Sequence, residues 1–280
     1  MLHRATVGTQ SRGAIEKQTG MEEMRDNKRN LTALAAVLGT FLAANPAEAD
    51  DYIQVNTGID YSSGDYGDVA DTDFLAVPLG IKYQADKFYL KASISYLDVK
   101  GPAGVIPGDG GVSSPGGAVT SRSGIGDLWL TAGYSLPIAD STWFDAVGKV
   151  KLPTASESKS LGTGSTDFTA QGELLHSFGN LSVSAYGGRR FNGSSDLYNL
   201  RDVWLGGGGV YLTADRVLLG LDYDWREGAT ATSPDISEAT ASLTYKVSDS
   251  LRLQGYGYTG FADGSPDLGG GLQILYRIGN

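Results

Sequence analysis

Between Asp51 and the end of the 280-residue chain, polar and apolar residues alternate with period two in segments of roughly ten, and turn-rich stretches separate the segments. The first has Ile53, Val55, Thr57, Ile59 and Tyr61 on one face, against Gln54, Asn56, Gly58 and Asp60 on the other. Leu75 to Tyr83, Phe88 to Tyr96, Leu128 to Leu136, Phe144 to Leu152, Phe168 to Leu174 and Leu181 to Ala185 repeat the pattern. So do Val217 to Trp225, Ala239 to Val247, Leu251 to Phe261 and Leu268 to Ile278. Val203 to Thr213, which contains four consecutive glycines, has no clear facing and suggests a bulge. A strand with two unlike faces needs two unlike environments, so the chain reads as all-β, with about twelve strands.

Connection lengths narrow the architecture. Short turns at Ala85-Asp86, Pro137 to Thr142, Gly179-Asn180, Ala214-Asp215 and Ser248 to Ser250 alternate with longer polar loops, the longest being Asp98 to Ser123. Hairpins short on one side and long on the other are the pattern of a transmembrane antiparallel up-and-down β-barrel, with the short side periplasmic. Tyr83, Tyr134 and Tyr245 fall on the apolar face near the short turns, and Tyr61, Tyr96, Tyr223 and Trp225 near the other end. Two aromatic girdles are thereby predicted. An aqueous sandwich would alternate too, but has no reason to space its aromatics in this way. After Asp50 no run approaches 18 consecutive apolar residues, so spanning helices are excluded.

The N-terminal region supports export. Arg25, Lys28 and Arg29 precede an apolar run from Leu31 to Ala44 and then Ala47-Glu48-Ala49, the order of a signal peptide cleaved after Ala49. The expected organisation is an upstream extension over residues 1–23, a signal peptide over 24–49 and an outer-membrane β-barrel over 50–280. Localisation in a bacterial outer membrane follows, with outer-membrane lipid and the barrel-assembly machinery as partners. The last strand alternates Leu272, Ile274, Tyr276 and Ile278 as an assembly signal would, although Gly279-Asn280 replaces the usual terminal aromatic.

Composition closes off other classes. A formal charge of −10 and a pI near 4.6 leave no basic face for nucleic acid. With no cysteine, thiolate metal sites are excluded. Downstream of the predicted cleavage site His176 is the only histidine, placed beside a short turn; neither a hydrolase at the outer leaflet nor a surface protease would keep its histidine there. Asp65, Asp68, Asp71 and Asp73 lack the spacing of a calcium loop and read as solvated. No catalytic residue, metal site or cofactor is expected, and the glycines of 206–209 and 162–164 lack a nucleotide fingerprint.

Function should therefore reside on the polar face. In a closed barrel, Lys149, Lys151, Glu173, Arg190, Asp222, Asp224, Arg226, Arg252, Tyr256 and Tyr258 would line a pore for small solutes. Lys82, Lys91, Asp127 and Lys246 share that face. The alternatives are a structural or interaction barrel without transport, in which these charges merely satisfy one another, and, less in keeping with His176, an outer-membrane hydrolase.

Two segments carry a family resemblance: Gly124-Ile125-Gly126-Asp127-Leu128, and Lys151-Leu152-Pro153-Thr154 followed by Leu161-Gly162-Thr163-Gly164-Ser165-Thr166-Asp167. In order and spacing they resemble the outer-membrane β-barrel family named for the MetA pathway of phenol degradation, with Ala155 where that family's Pro-Thr-Gly would place glycine. The resemblance implies a porin-like channel or transporter, with small aromatic or hydrophobic molecules as the solutes to test.

Overall fold

The computed structural model describes residues 51–111 and 117–279, so the predicted extension and signal peptide lie outside the described residues. Twelve antiparallel strand positions close into one barrel. The strands are β1 (Tyr52–Gly64), β2 (Thr72–Ala85) and β3 (Phe88–Pro102), then, after a two-stranded hairpin of β4 (Val105–Ile106) and β5 (Gly110–Gly111), β6 (Val119–Ile125) and β7 (Leu128–Ala139). There follow β8 (Thr142–Leu152), β9 (Asp167–Phe178), β10 (Leu181–Phe191), β11 (Val203–Ala214) and β12 (Val217–Arg226). The last three are β13 (Ile236–Lys246), β14 (Leu251–Gly260) and β15 (Leu268–Ile278). The barrel strands pair antiparallel around the ring, and β15 returns to β1 with Ile53 opposite Ile278, which closes the barrel; β6, at the long-loop end, pairs on one side only, with β3.

The alternation decides which face is which. Leu79, Leu221 and Leu272 point outward and are 55%, 58% and 66% exposed, while Gln54, Lys149, Glu173 and Arg252 point inward and are buried. This inverts a water-soluble fold, where such leucines would be inside. An apolar outer belt of this extent is stable against lipid. Tyr83, Tyr134 and Tyr245 stand outside near the short turns, and Tyr61, Tyr96 and Tyr223 outside near the long loops, as the girdles require.

Four of the short connections are two-residue turns. Asp86, Gly179 and Asp215 take positive φ at the first turn position, where Asp and Gly are tolerated, and Ser141 takes it at the second. The Pro137 to Thr142 connection is shorter than expected, because β7 continues to Ala139 past a register shift between Pro137 and Ala139.

Two expectations need correction. The glycine-rich β11 carries no bulge: its register runs unbroken from Leu205 opposite Arg226 to Ala214 opposite Val217. Its facing is regular, and Gly207 and Gly209 lie inside because tyrosine rings occupy the space a side chain would need. Tyr186 lies over Gly207, its cross-strand partner, and Tyr211 over Gly209 and Gly220. Tyr89 over Gly133, Tyr256 over Gly271 and Tyr258 over Gly269 repeat the arrangement. The true irregularity is at Gly126, where β6 and β7 share one strand position beside β3. Tyr96 pairs with Ile125 and Ser93 with Trp129, so two residues of β3 face three of the bulged strand. That extra residue resets the alternation, leaving both Arg122 and Asp127 turned inward.

The second correction concerns the loop read as Asp98 to Ser123. Its ends are strand, and residues 105–111 between them turn inward. Val105 and Ile106 are fully buried, and the β4–β5 hairpin lies within the barrel.

Candidate permeation path and its constriction

Three kinds of interaction hold the inward hairpin. Val105 packs with Tyr66, Phe74, Leu97, Val99 and Leu161, and Ile106 with Ala229, Tyr198 and Leu200. Arg122, reached by the bulged strand, clasps the base of the hairpin: its guanidinium donates to the carbonyls of Gly101 at 2.9 Å, Pro102 at 3.1 Å and Val105 at 2.7 Å. At the tip, Gly108 and Gly110 adopt positive φ of 84° and 68°, a region closed to most side chains, and so turn Asp109 into the middle of the lumen.

Asp109 meets three cations from three strands. Arg190 of β10 donates to Oδ1 at 2.5 Å, Arg226 of β12 to the same oxygen at 3.1 Å, and Lys151 of β8 stands 3.8 Å from Oδ2. Arg226 also donates to the Gly108 carbonyl. Burial by itself would raise the Asp109 carboxyl, but attraction to Arg190, Lys151 and Arg226 outweighs it and holds the group well below the usual carboxylate range. The hairpin is thus latched across the barrel by charge.

The segments that carry the family resemblance converge beside this latch. Lys151 is 2.6 Å from Asp167, 3.8 Å from Asp127, and donates to Thr163 at 2.8 Å. Thr154 donates to the Gly126 carbonyl at 2.8 Å, and the Ala155 N–H to Asp127 at 3.0 Å. Ala155 is not among the positive-φ residues, so alanine there is unstrained. The motif ties the β8–β9 loop to the bulge and sets the position of one latch cation.

All ten residues singled out for the interior point into the barrel, at different depths. Lys151, Arg190 and Arg226 surround Asp109. Asp224 accepts from Tyr186 at 2.5 Å, and Asp222 accepts from Tyr211. Tyr256 and Tyr258 both donate to Asp60, at 2.7 and 3.0 Å. Lys149 and Glu173 lie at mid-height on β8 and β9, and Arg252 is buried toward the short turns. There, Lys82 sits over the Tyr89 ring and Arg277 over that of Tyr52. Lys246 pairs instead with the exposed Asp249 at the rim.

Asp109 and Arg122 were missed by sequence reasoning. A loop aspartate among glycines reads as solvated, and Arg122 falls in the segment taken for that loop; the glycines flanking Asp109 were the one available signal. His176 shares a hydrogen bond with Thr142 at 2.7 Å and packs its ring on Phe178, at the short-turn rim. The loop aspartates turn to local partners, Asp65 accepting from the Gly67 N–H and Asp73 from Tyr61. Among the described residues no group of three His, Cys, Asp or Glu side chains is placed to hold a metal ion.

No family model matches the chain, and no curated protein matches it in sequence. Its similarity is to solved barrels. An outer-membrane channel from Pseudomonas putida F1 superposes with a TM-score of 0.66 at 15% identity, covering 83% of this chain and 97% of the other. The NanC porin gives 0.53 at 9% identity over 81% and 99%, and the KdgM porin 0.50 at 10% over 80% and 98%. At such identities the likeness is one of fold. Closed, polar inside and apolar outside, the chain is an outer-membrane β-barrel, and its place is the bacterial outer membrane.

Proposed function

We propose that this protein is an outer-membrane channel for small solutes, aromatic or hydrophobic molecules among them, narrowed by the inward hairpin. The observation that carries the reading is the hairpin's mode of attachment. A plug serving stability alone is made more cheaply by apolar packing than by burying charges, whose desolvation offsets much of their attraction. Here, beyond the apolar packing of Val105 and Ile106, a buried carboxylate and three cations from three strands meet in the lumen. Such a closure can be displaced by a solute or by water, as in other charge-lined pores. Lys149, Lys151, Glu173, Arg190, Asp222, Asp224, Arg226, Arg252, Tyr256 and Tyr258 are the proposed pore-lining residues.

The channel and porin character of the superposable barrels supports this, as does the resemblance to the family named for the MetA pathway of phenol degradation. The leader over 24–49 is taken as the export signal, and the short turns as the periplasmic rim. On this reading the protein is not an enzyme.

The filled centre favours one competing reading, a structural or interaction barrel that passes nothing. Single-channel recording of the refolded protein in planar bilayers separates the two. Small unitary steps are expected from the native protein and larger ones from Asp109→Ala. Silence from both, with folding verified, would make the barrel structural.

A further inference from the structure

Between the inward hairpin and the wall formed by β1–β3, β13 and β14 lies a cavity, partly open to solvent, at the long-loop end of the barrel. One side is apolar: Phe74, Ala76, Leu97, Ile236, Pro107 and Pro266 line it, and Tyr66 stands edge-on to Phe74 with ring centroids 5.2 Å apart. The other side holds two carboxylates, Asp60 and Glu238, beside Tyr258.

The two carboxylates are not equivalent. Asp60 has a donor on each oxygen, from Tyr256 and Tyr258. Glu238 is 4% exposed and its Oε1 has no hydrogen-bond partner, although it lines the cavity. Across the β12–β13 ladder it faces another acid, Asp224. The cation on its side of the barrel, Arg226, is already bound to Asp109 and the Gly108 carbonyl. A buried acceptor without a donor is costly, and more so beside like charge. An apolar cavity with one such group is the usual form of a small-molecule site, in which shape supplies affinity and the polar atom fixes orientation.

We propose that this cavity is a binding site for small amphipathic amines, with the apolar body against Phe74, Leu97 and Ile236 and the ammonium group donating to Glu238. The inference rests on the channel reading in making the site a stop on the permeation path, but the binding itself requires no conduction.

The experiment is equilibrium titration calorimetry on the refolded full chain in detergent, using benzylamine, benzyl alcohol and benzoate as probes. These share one ring and differ in the head. Benzylamine should bind at least about tenfold more tightly than benzyl alcohol, and benzoate should not bind detectably. Glu238→Gln should abolish the preference for the amine while leaving benzyl alcohol binding in place. Ala76→Leu, which fills the cavity from the opposite wall, should weaken both; it also serves if the glutamine variant does not fold. Equal affinity for amine and alcohol would overturn the proposal, as would benzylamine binding indifferent to both substitutions. Absence of benzylamine binding in a conducting protein would refute the site and spare the channel. Benzylamine binding in a protein that does not conduct would do the reverse.

Discussion

Arg190 and Asp109, 81 residues apart in the chain, meet at 2.5 Å inside the barrel, with side chains only 5% and 6% exposed. One belongs to the wall and the other to the hairpin tip, so their contact measures whether the lumen is narrowed. Arg226 and Lys151 complete the arrangement from two further strands.

Removing Asp109 leaves three inward cations without their common counter-charge, and breaking a buried ion pair costs roughly 3–5 kcal/mol. Asp109→Ala should therefore release the hairpin tip while the strand ladder, which does not depend on it, persists. In intact cells, added protease should spare 103–111 in the native protein and cut there in the variant. Equal cleavage of both would show that the latch does not hold the loop.

Acidification tests the same contact. The bound carboxyl titrates well below its ordinary value of about 3.8, so the latch is fully stabilising above that value and is lost only as pH falls through the lower bound-state value. Conductance should show no latch-release step between pH 7 and pH 4; a release step centred near 4 or above would mean that Asp109 is not ion-paired.

The two lysines of β8 should behave differently. Lys149→Glu reverses a lumen charge that is not paired with Asp109, and should move reversal potentials toward cation selectivity, most at low salt where screening is weak. Lys151→Glu would place a carboxylate beside Asp127, Asp167 and Asp109, so its main effect should be unlatching and a larger conductance. Identical shifts from both variants would refute separate roles.

The tyrosine and glycine pairs should be structural. Gly133 lies beneath the Tyr89 ring, and a side chain there would collide with it. Gly133→Val should cost about 1–3 kcal/mol, the usual penalty of overpacking. Adding Tyr89→Ala should recover part of that loss in urea unfolding of the refolded barrel. If the double variant were less stable than the sum of the two single ones, the collision account would be wrong.

The facing of most strands could be read from residue order, because period-two alternation transmits each residue's environment locally and in-register pairing preserves it. Ile53 and Gln54 reveal their faces without knowledge of any partner. The β11 glycines hid theirs, since Gly207 and Gly209 have no side chain to classify, and only the Tyr186 and Tyr211 rings laid over them show why glycine is there. The bulge at Gly126 was equally hidden. It exists to reconcile Arg122 with Asp127, and neither requirement is visible until the β8–β9 loop and the hairpin are in place.

Local order thus determined the strands, their two faces, the turns and the membrane, because each depends on contacts between near neighbours and on a choice between lipid and polar interior that a single side chain makes. Only the closed barrel decided that the loop around Asp109 turns inward and that a lone glutamate, Glu238, lines a cavity beside it. Lys151, Arg190 and Arg226 lie far apart in sequence and become one site for a carboxylate only when closure points three strands at the same axis.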